Sequence, residues 1–287
     1  MTASEAGIVR PDQIDRDFTL DRLAAVGPLA AYVERYWSVQ WDRGASAERG
    51  DQPQVSQVVP HPAVNVTFES GSPGEVRHGH SLPAGLVHGV VTRRFDIELA
   101  GVGRVFGAKL RPGALTALTG IDASTLRDRA VTLAEVFGDD ARSVADVVLA
   151  EEDDLGRRHA VEAWLEPWAD RLAGPPAAYQ QVLELVAASL ADRTLIRVAD
   201  LCARFDLTER QLQRLFVRYV GVGPKWVLRR HRLHDAQERL VHGDVTDLAA
   251  LAVELGWHDQ AHFTREFTGV LGTSPSRYLG QLHHTDG

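Results

Sequence analysis

Asp247–Gly272 reads DLAALAVELGWHDQAHFTREFTGVLG, and this stretch decides how the C-terminal third folds. Leu248, Ala249, Leu251, Ala252 and Leu255 recur at tight spacing, which suits a short helix packed inside a small helical unit. Gly256 follows, where a helix ends in the left-handed conformation that glycine adopts cheaply. Asp259 is a natural N-cap, because its carboxylate can accept from N–H groups two or three positions on. Phe263 and Phe267 lie four apart, on one side of the helix that Asp259 opens. Gln260, Ala261, His262, Thr264 and Arg265 are left for its outer face. Helix, glycine turn and polar-faced second helix make a helix-turn-helix unit.

Upstream, Val198–Tyr219 (VADLCARFDLTERQLQRLFVRY) repeats the arrangement. A helix rich in small residues ends near Phe205, Asp206–Leu207 turns, and Thr208 caps a helix expected to run to Tyr219. Leu212, Leu215, Phe216 and Tyr219 form its buried stripe. Arg210, Gln213, Arg214 and Arg218 occupy the opposite face. Arginine and glutamine make bidentate contacts to guanine and adenine edges in the major groove, so this face suits a recognition helix. A solvated surface helix would look the same, and it is the preceding partner helix that favours the recognition reading. Between the units, Pro224–His242 reads as one long helix with Pro224 in its first turn. About 18 residues at ~1.5 Å each span ~27 Å, close to the ~34 Å between successive major grooves on one face of DNA.

Net charge is −8, but residues 181–287 hold 13 basic and 13 acidic residues, so the whole deficit lies upstream. Arg193–Arg232 carries ten basic residues and three acidic ones, whereas Asp244–Arg277 carries two and five. Phosphate binding depends on such a local basic face rather than on global charge. The single cysteine, Cys202, excludes an intramolecular disulfide and a cysteine-cluster metal site. The first 17 residues are polar and acidic, unlike a signal or transit peptide. No apolar run approaches the ~20 residues that span a bilayer. A cytoplasmic location with no membrane partner is expected.

The N-terminal half reads as strands followed by helices, an α+β order. The opening FTLDRLAA is expected to be helical and Tyr32–Trp41 a strand. A loop is expected over 44–54, then strand, turn and strand over Val55–Glu69. A loop at Gly71–Gly85 precedes strands at Leu86–Arg93, Phe95–Ala100 and Arg104–Leu110. From Ala114 to about Leu172 the pattern is helical, broken near Gly120, Gly138 and Glu151–Gly156. Gly174–Pro175–Pro176 breaks helices on both sides, so the expected division is a domain over 1–172, a linker over 173–178 and an all-α domain over 179–287.

No catalytic residue, metal ligand or cofactor is assigned in this half. His61, His78, His80 and His88 read as loop histidines, since no glutamate follows His80 until Glu98, as a cupin-like metal set would need. Gly101–Gly107 misses dinucleotide-binding spacing by one residue and precedes a strand-like stretch. Cys202 reads as packing. Trp37, Trp41, His61 and Phe68 are candidate ligand contacts, although aromatic residues in strands are usually core.

Residues 190–280 resemble the DNA-binding domain of the AraC/XylS family. The resemblance rests on ADLCARFDLTERQLQRLFVRYVGVGPKWVLRRHRLHDAQERL and LAVELGWHDQAHFTREFTGVLGTSPSRYL, with Gly256, Trp257 (usually Phe), Phe263, Arg265, Phe267, Gly272, Pro275 and Tyr278 in register. It implies two lobes on a rigid linking helix, reading two successive major grooves of double-stranded DNA. Arg210, Gln213 and Arg214 would face bases from the first lobe, and Gln260, His262 and Arg265 from the second. Thr208, Arg218, Asp259 and Thr264 complete the expected interface. Lys225, Arg229, Arg230 and Arg232 would serve phosphates or pack the linking helix. RYWSVQWD, VVPHPAVNVTFESG and GRVFGAKLRPGAL resemble the N-terminal domain of a subset of actinobacterial-type AraC-like regulators. The expected function is a sequence-specific transcriptional regulator, not an enzyme, with a small-molecule effector, RNA polymerase and a second copy of the chain as further candidate partners. An N-terminal domain that serves only dimerisation or protein contact is the alternative, and an enzyme targeted to DNA has no motif behind it.

Overall fold

The computed structural model describes residues 18–43, 54–58, 60–192, 194–243, 245 and 247–283. The N-terminal 17 residues and the loop expected over 44–54 lie outside them, save Gln54, which begins a strand.

Among the described residues the N-terminal half has ten strands: β1 (Thr19–Ala24), β2 (Val33–Asp42), β3 (Gln54–Val58), β4 (Asn65–Ser70), β5 (Val76–Arg77), β6 (His80–Ser81), β7 (Ala84–His88), β8 (Phe95–Leu99), β9 (Val102–Leu110) and β10 (Ala130–Thr132). Six form an antiparallel sheet in the order β1-β2-β9-β4-β7-β10, while β3 pairs with β8 and β5 with β6. The expected opening helix is instead β1, with Leu20 opposite Val39 and Arg22 opposite Trp37. Pairing along β2 satisfies its backbone, and its alternate residues Leu20 and Arg22 line the open face of the sheet. A short 3-10 turn at Pro28–Ala31 is all that is helical there. Three more expectations change. The loop expected over Gly71–Gly85 holds the β5–β6 hairpin and the first residues of β7, because Val76 pairs with Ser81 and Arg77 with His80. The strand expected over Leu86–Arg93 stops at His88, because Gly89 sits so close to the Leu126 carbonyl that a Cβ would lie 1.8 Å from it. The segment expected to be helical from Ala114 includes β10, which extends the sheet beside β7.

Strand alternation gives the sheet two unlike faces. Tyr36, Val66, Phe68, Val87, Phe106 and Leu110 point to one, where α1 (Ala114–Thr119), α2 (Leu133–Phe137), α3 (Val144–Ala150) and α4 (Asp154–Asp170) close a dry core with Val148, Val161 and Leu165. Trp37, Trp41, Asn65, Thr67, Glu69, Val105 and Lys109 point to the other, which the β3–β8 ribbon roofs.

After Asp170 come α5 (Ala177–Ala191), α6 (Val198–Phe205), α7 (Glu209–Leu215), α8 (Pro224–His242), α9 (Leu248–Glu254), α10 (Gln260–Leu271) and α11 (Pro275–His283). The helix expected to reach Tyr219 does so by widening into a π-helical turn over Phe216–Val220, which buries Phe216 and Val220. Helix α5 is shared. Tyr179 in its first turn stacks on Tyr32 at 5.6 Å and donates to the Ala31 carbonyl at 2.7 Å. Val182, Leu185 and Val186 pack with Val90 into the core of the first helix-turn-helix unit.

Candidate nucleic-acid interface and interior cavity

Thr208 opens α7 with a reciprocal cap, its hydroxyl accepting from the Gln211 N–H while the Gln211 side chain accepts from the Thr208 N–H. Burying Leu212 and Phe216 turns Arg210, Gln213, Arg214 and Arg218 out to solvent. Asp259 caps α10 by accepting from the His262 N–H at 2.7 Å. Burying Phe263 and Phe267 there leaves Gln260, Ala261 and Arg265 exposed and His262 and Thr264 half-buried. His262 is turned toward Glu266, with Nε2 3.1 Å from its carboxylate. Both helices thus present a polar face opposite an apolar one.

The linking helix divides its cations differently from the simplest expectation of phosphate contacts. Lys225 and Arg229 are exposed, but Arg229 pairs with Glu266 of α10. Glu266 also accepts from the Trp257 indole at 2.8 Å, so one carboxylate ties the linking helix, the turn and α10 together. Arg230 is 3% exposed, its guanidinium stacked 4.6 Å from the Trp226 ring centroid and donating to the Thr92 carbonyl of the N-terminal half at 3.2 Å. Burial pushes its pKa down to about 10. Arg232 lies 5.0 Å from the Trp257 ring centroid and donates to the Gly256 carbonyl at 2.8 Å. Arg230 and Arg232 therefore pack the helix.

The open face of the sheet holds a cavity of about 220 Å³. Trp37, Trp41 and His61 line it, together with Phe95, Ile97 and Leu99 of β8; Phe68 lies on the opposite face, edge-on to Trp164 at 6.2 Å. The indoles of Trp37 and Trp41 lie over Gly107 and Gly103, where a Cβ would come within 2.4 and 2.2 Å of the rings. Those glycines, which only resembled a dinucleotide-binding pattern, make room for two aromatic walls. Near the linking helix the lining is cationic: buried Lys109 donates to Glu34 at 2.9 Å, and Arg35 pairs with the same carboxylate at 3.0 Å. Burial lowers the Lys109 pKa, and Glu34 opposes the shift. His61 stacks on His234 of α8 at 4.1 Å. Burial, reinforced by His234, holds its pKa well below the usual value, and its Nε2 has no hydrogen-bond partner among the described residues.

A second polar cluster in the lining escaped the sequence reading. Glu69, 2% exposed, accepts from Thr67 at 2.7 Å and lies 3.1 Å from His88 Nε2; Arg77 donates to its other oxygen at 3.1 Å. Burial alone would raise the Glu69 pKa, but His88, then His78 and Thr67, hold it down at about 2. His78 enters from the β5–β6 turn, its ring edge-on to His88 at 4.8 Å and stacked on Phe95 at 5.8 Å. Looking for a glutamate after the histidines missed one before them. The available signal was alternation: Asn65, Thr67 and Glu69 sit at every second position of a strand whose other face is apolar.

Residues 201–281 match the family model of a helix-turn-helix domain, and residues 22–132 match a domain of unknown function, DUF6597. The C-terminal region thus carries a helix-turn-helix domain, a fold that places a helix in the major groove of DNA. The regulatory protein PocR of Salmonella typhimurium is 27% identical over 104 residues, 36% of this chain and 33% of PocR, so the match spans about a third of that relative. Among solved structures, ToxT from Vibrio cholerae O395 aligns over 93% of this chain and 99% of its own at TM-score 0.42 and 11% identity. Unsaturated-fatty-acid-bound ToxT from Vibrio cholerae strain SCE256 aligns over 92% and 95% at TM-score 0.43 and 12% identity.

Proposed function

We propose that the chain is a sequence-specific transcriptional regulator whose N-terminal cavity admits a small organic effector. The observation that carries this reading is the outward face of α7, with Arg210, Gln213, Arg214 and Arg218 exposed together on a unit bonded to the effector domain. Thr116 donates to the Arg218 carbonyl at 3.0 Å and Arg127 to the Gly221 carbonyl at 2.7 Å. Two recognition helices on one linking helix suit two successive major grooves. In the cavity, an apolar body would lie against Trp37, Trp41 and Leu99, and a polar end would meet Lys109 and His61. Its occupancy would reach DNA through His61, which stacks on His234 of the linking helix. Lys225 would meet phosphate. The division near residues 173–178 is part of this reading, with α5 as the joint.

The test is binding-site selection with the full chain, followed by a thermal-shift screen of metabolites. An enriched motif with two half-sites about one helical turn apart is expected, as is a metabolite that raises Tm and alters affinity for that motif. Absence of any enriched motif sinks the regulator reading. An enriched motif with no stabilising metabolite sinks effector sensing and favours a dimerisation or protein-contact module.

A further inference from the structure

We propose that Glu69, His78 and His88 form a site for one divalent transition-metal ion of the zinc class, set in the wall of the cavity. One ligand atom from each lies within 4.8 Å of the others. Imidazole nitrogen and carboxylate oxygen bind such ions at ~2.0–2.2 Å, so two ligands of one ion stand roughly 3–3.5 Å apart. Glu69 Oε1 and His88 Nε2 already have that separation, 3.1 Å. His78, on an exposed turn, needs only a small side-chain swing to join them.

The surroundings fit an ion. Ligating carboxylates are usually oriented by further hydrogen bonds, and Thr67 and Arg77 supply them to Glu69. Arg77 does not cancel the charge an ion needs, because its other arm pairs with Glu75. His78 has φ 53°, and Gly79 φ 83°. Paired positive φ values make a tight hairpin turn in which asparagine, aspartate and glycine are the usual residues. The turn thus places an imidazole where conformation alone favours asparagine. All three groups line the cavity, so the coordination positions they leave open lie on its side.

That preference supplies the test. His78→Asn removes the imidazole and keeps the turn; Glu69→Gln removes the charge and keeps the shape; His258→Gln alters an exposed His–Asp pair outside the trio. Untagged full-length protein is stripped with EDTA, dialysed and titrated with Zn²⁺ against a chromophoric chelator. Bound metal is counted by mass spectrometry, and circular dichroism checks each fold. One Zn²⁺ per chain is expected in the wild type and His258→Gln. His78→Asn should weaken binding by at least the ~10-fold that loss of a supporting partner costs a metal site, and Glu69→Gln by as much. Co²⁺ loading should give visible d–d bands that His78→Asn abolishes. No retained Zn²⁺, or wild-type affinity in His78→Asn, overturns the site. Neither readout involves DNA or an organic effector, so failure of the regulator reading leaves this result standing, and the reverse.

Discussion

The two helix-turn-helix units share a design but differ in how they are held. The first is built into the rest of the molecule: its core takes in Val90, and two of its backbone carbonyls accept from Thr116 and Arg127. The second has its own core of Leu251, Trp257, Phe263, Phe267 and Tyr278 against Leu233, Ala236 and Leu240 of the linking helix. The N-terminal half meets it where the Arg94 guanidinium approaches Gly272. The first unit is basic and the second acidic. One unit is thus fastened to the N-terminal half, and the other mainly to the linking helix.

The sharpest way to break this comparison is to empty each core in turn. Phe216→Ala and Phe263→Ala should each cost about 3–5 kcal/mol. The first should lower stability across the chain, Val90 and α5 included. The second should release hydrogen-exchange protection only over α9 to α11 and the part of α8 from Leu233 to Leu240 that packs on them. Equal spread of both effects would mean the units are held alike.

Next in size, Arg214→Ala and Arg265→Ala should each weaken specific binding by roughly 1–3 kcal/mol. Site selection with each variant should relax preference at positions about one helical turn apart. Changes at the same bases would rule out two-groove reading. Smaller still, Lys225→Ala should reduce the salt slope of binding by about one. Arg229→Ala should reduce it by less, because Arg229 already pairs with Glu266.

Much of the second unit could be read from residues, because its geometry is local: Asp259, Gly256 and the Phe263–Phe267 pair each act within a few positions. The linking helix, closed by Gly243 in the left-handed conformation, was equally readable. The N-terminal half resisted because its decisive contacts are distant in sequence. Thr19–Ala24 has helix-like periodicity and becomes a strand only because β2 lies beside it. Glu69 comes within reach of His78 and His88 through pairing of β4 with β7, which no spacing rule contains. For Arg230 and Arg232 the residues left phosphate contact and helix packing both open, and only their contacts with Trp226, Thr92, Trp257 and Gly256 decide for packing.

The smallest expected effect tests the joint itself. Burial lowers the pKa of His231 to about 4 and of His234 to about 3. Below about pH 6.5 the unfolded chain binds protons that the folded chain refuses, so stability is full above that pH and declines as pH falls toward the folded values. The loss should be about 0.5–1 kcal/mol per histidine between pH 7 and 6. Melting curves should flatten over this range in His231→Gln and His234→Gln. Glu69 acts in a different window: its stabilisation is present above the ordinary carboxylate value and is lost only as pH falls toward about 2.

Gly103 and Gly107 carry one more consequence, and it is optical. By leaving room for the indoles of Trp41 and Trp37, they place two of the chain's six tryptophans on the cavity wall. The others sit elsewhere, Trp164 and Trp168 against Phe137, Trp226 beneath Arg230 and Trp257 beside Glu266. A molecule entering the cavity would touch those two indoles and none of the other four. If the proposed effector binds there, the fluorescence of these two indoles would report its occupancy.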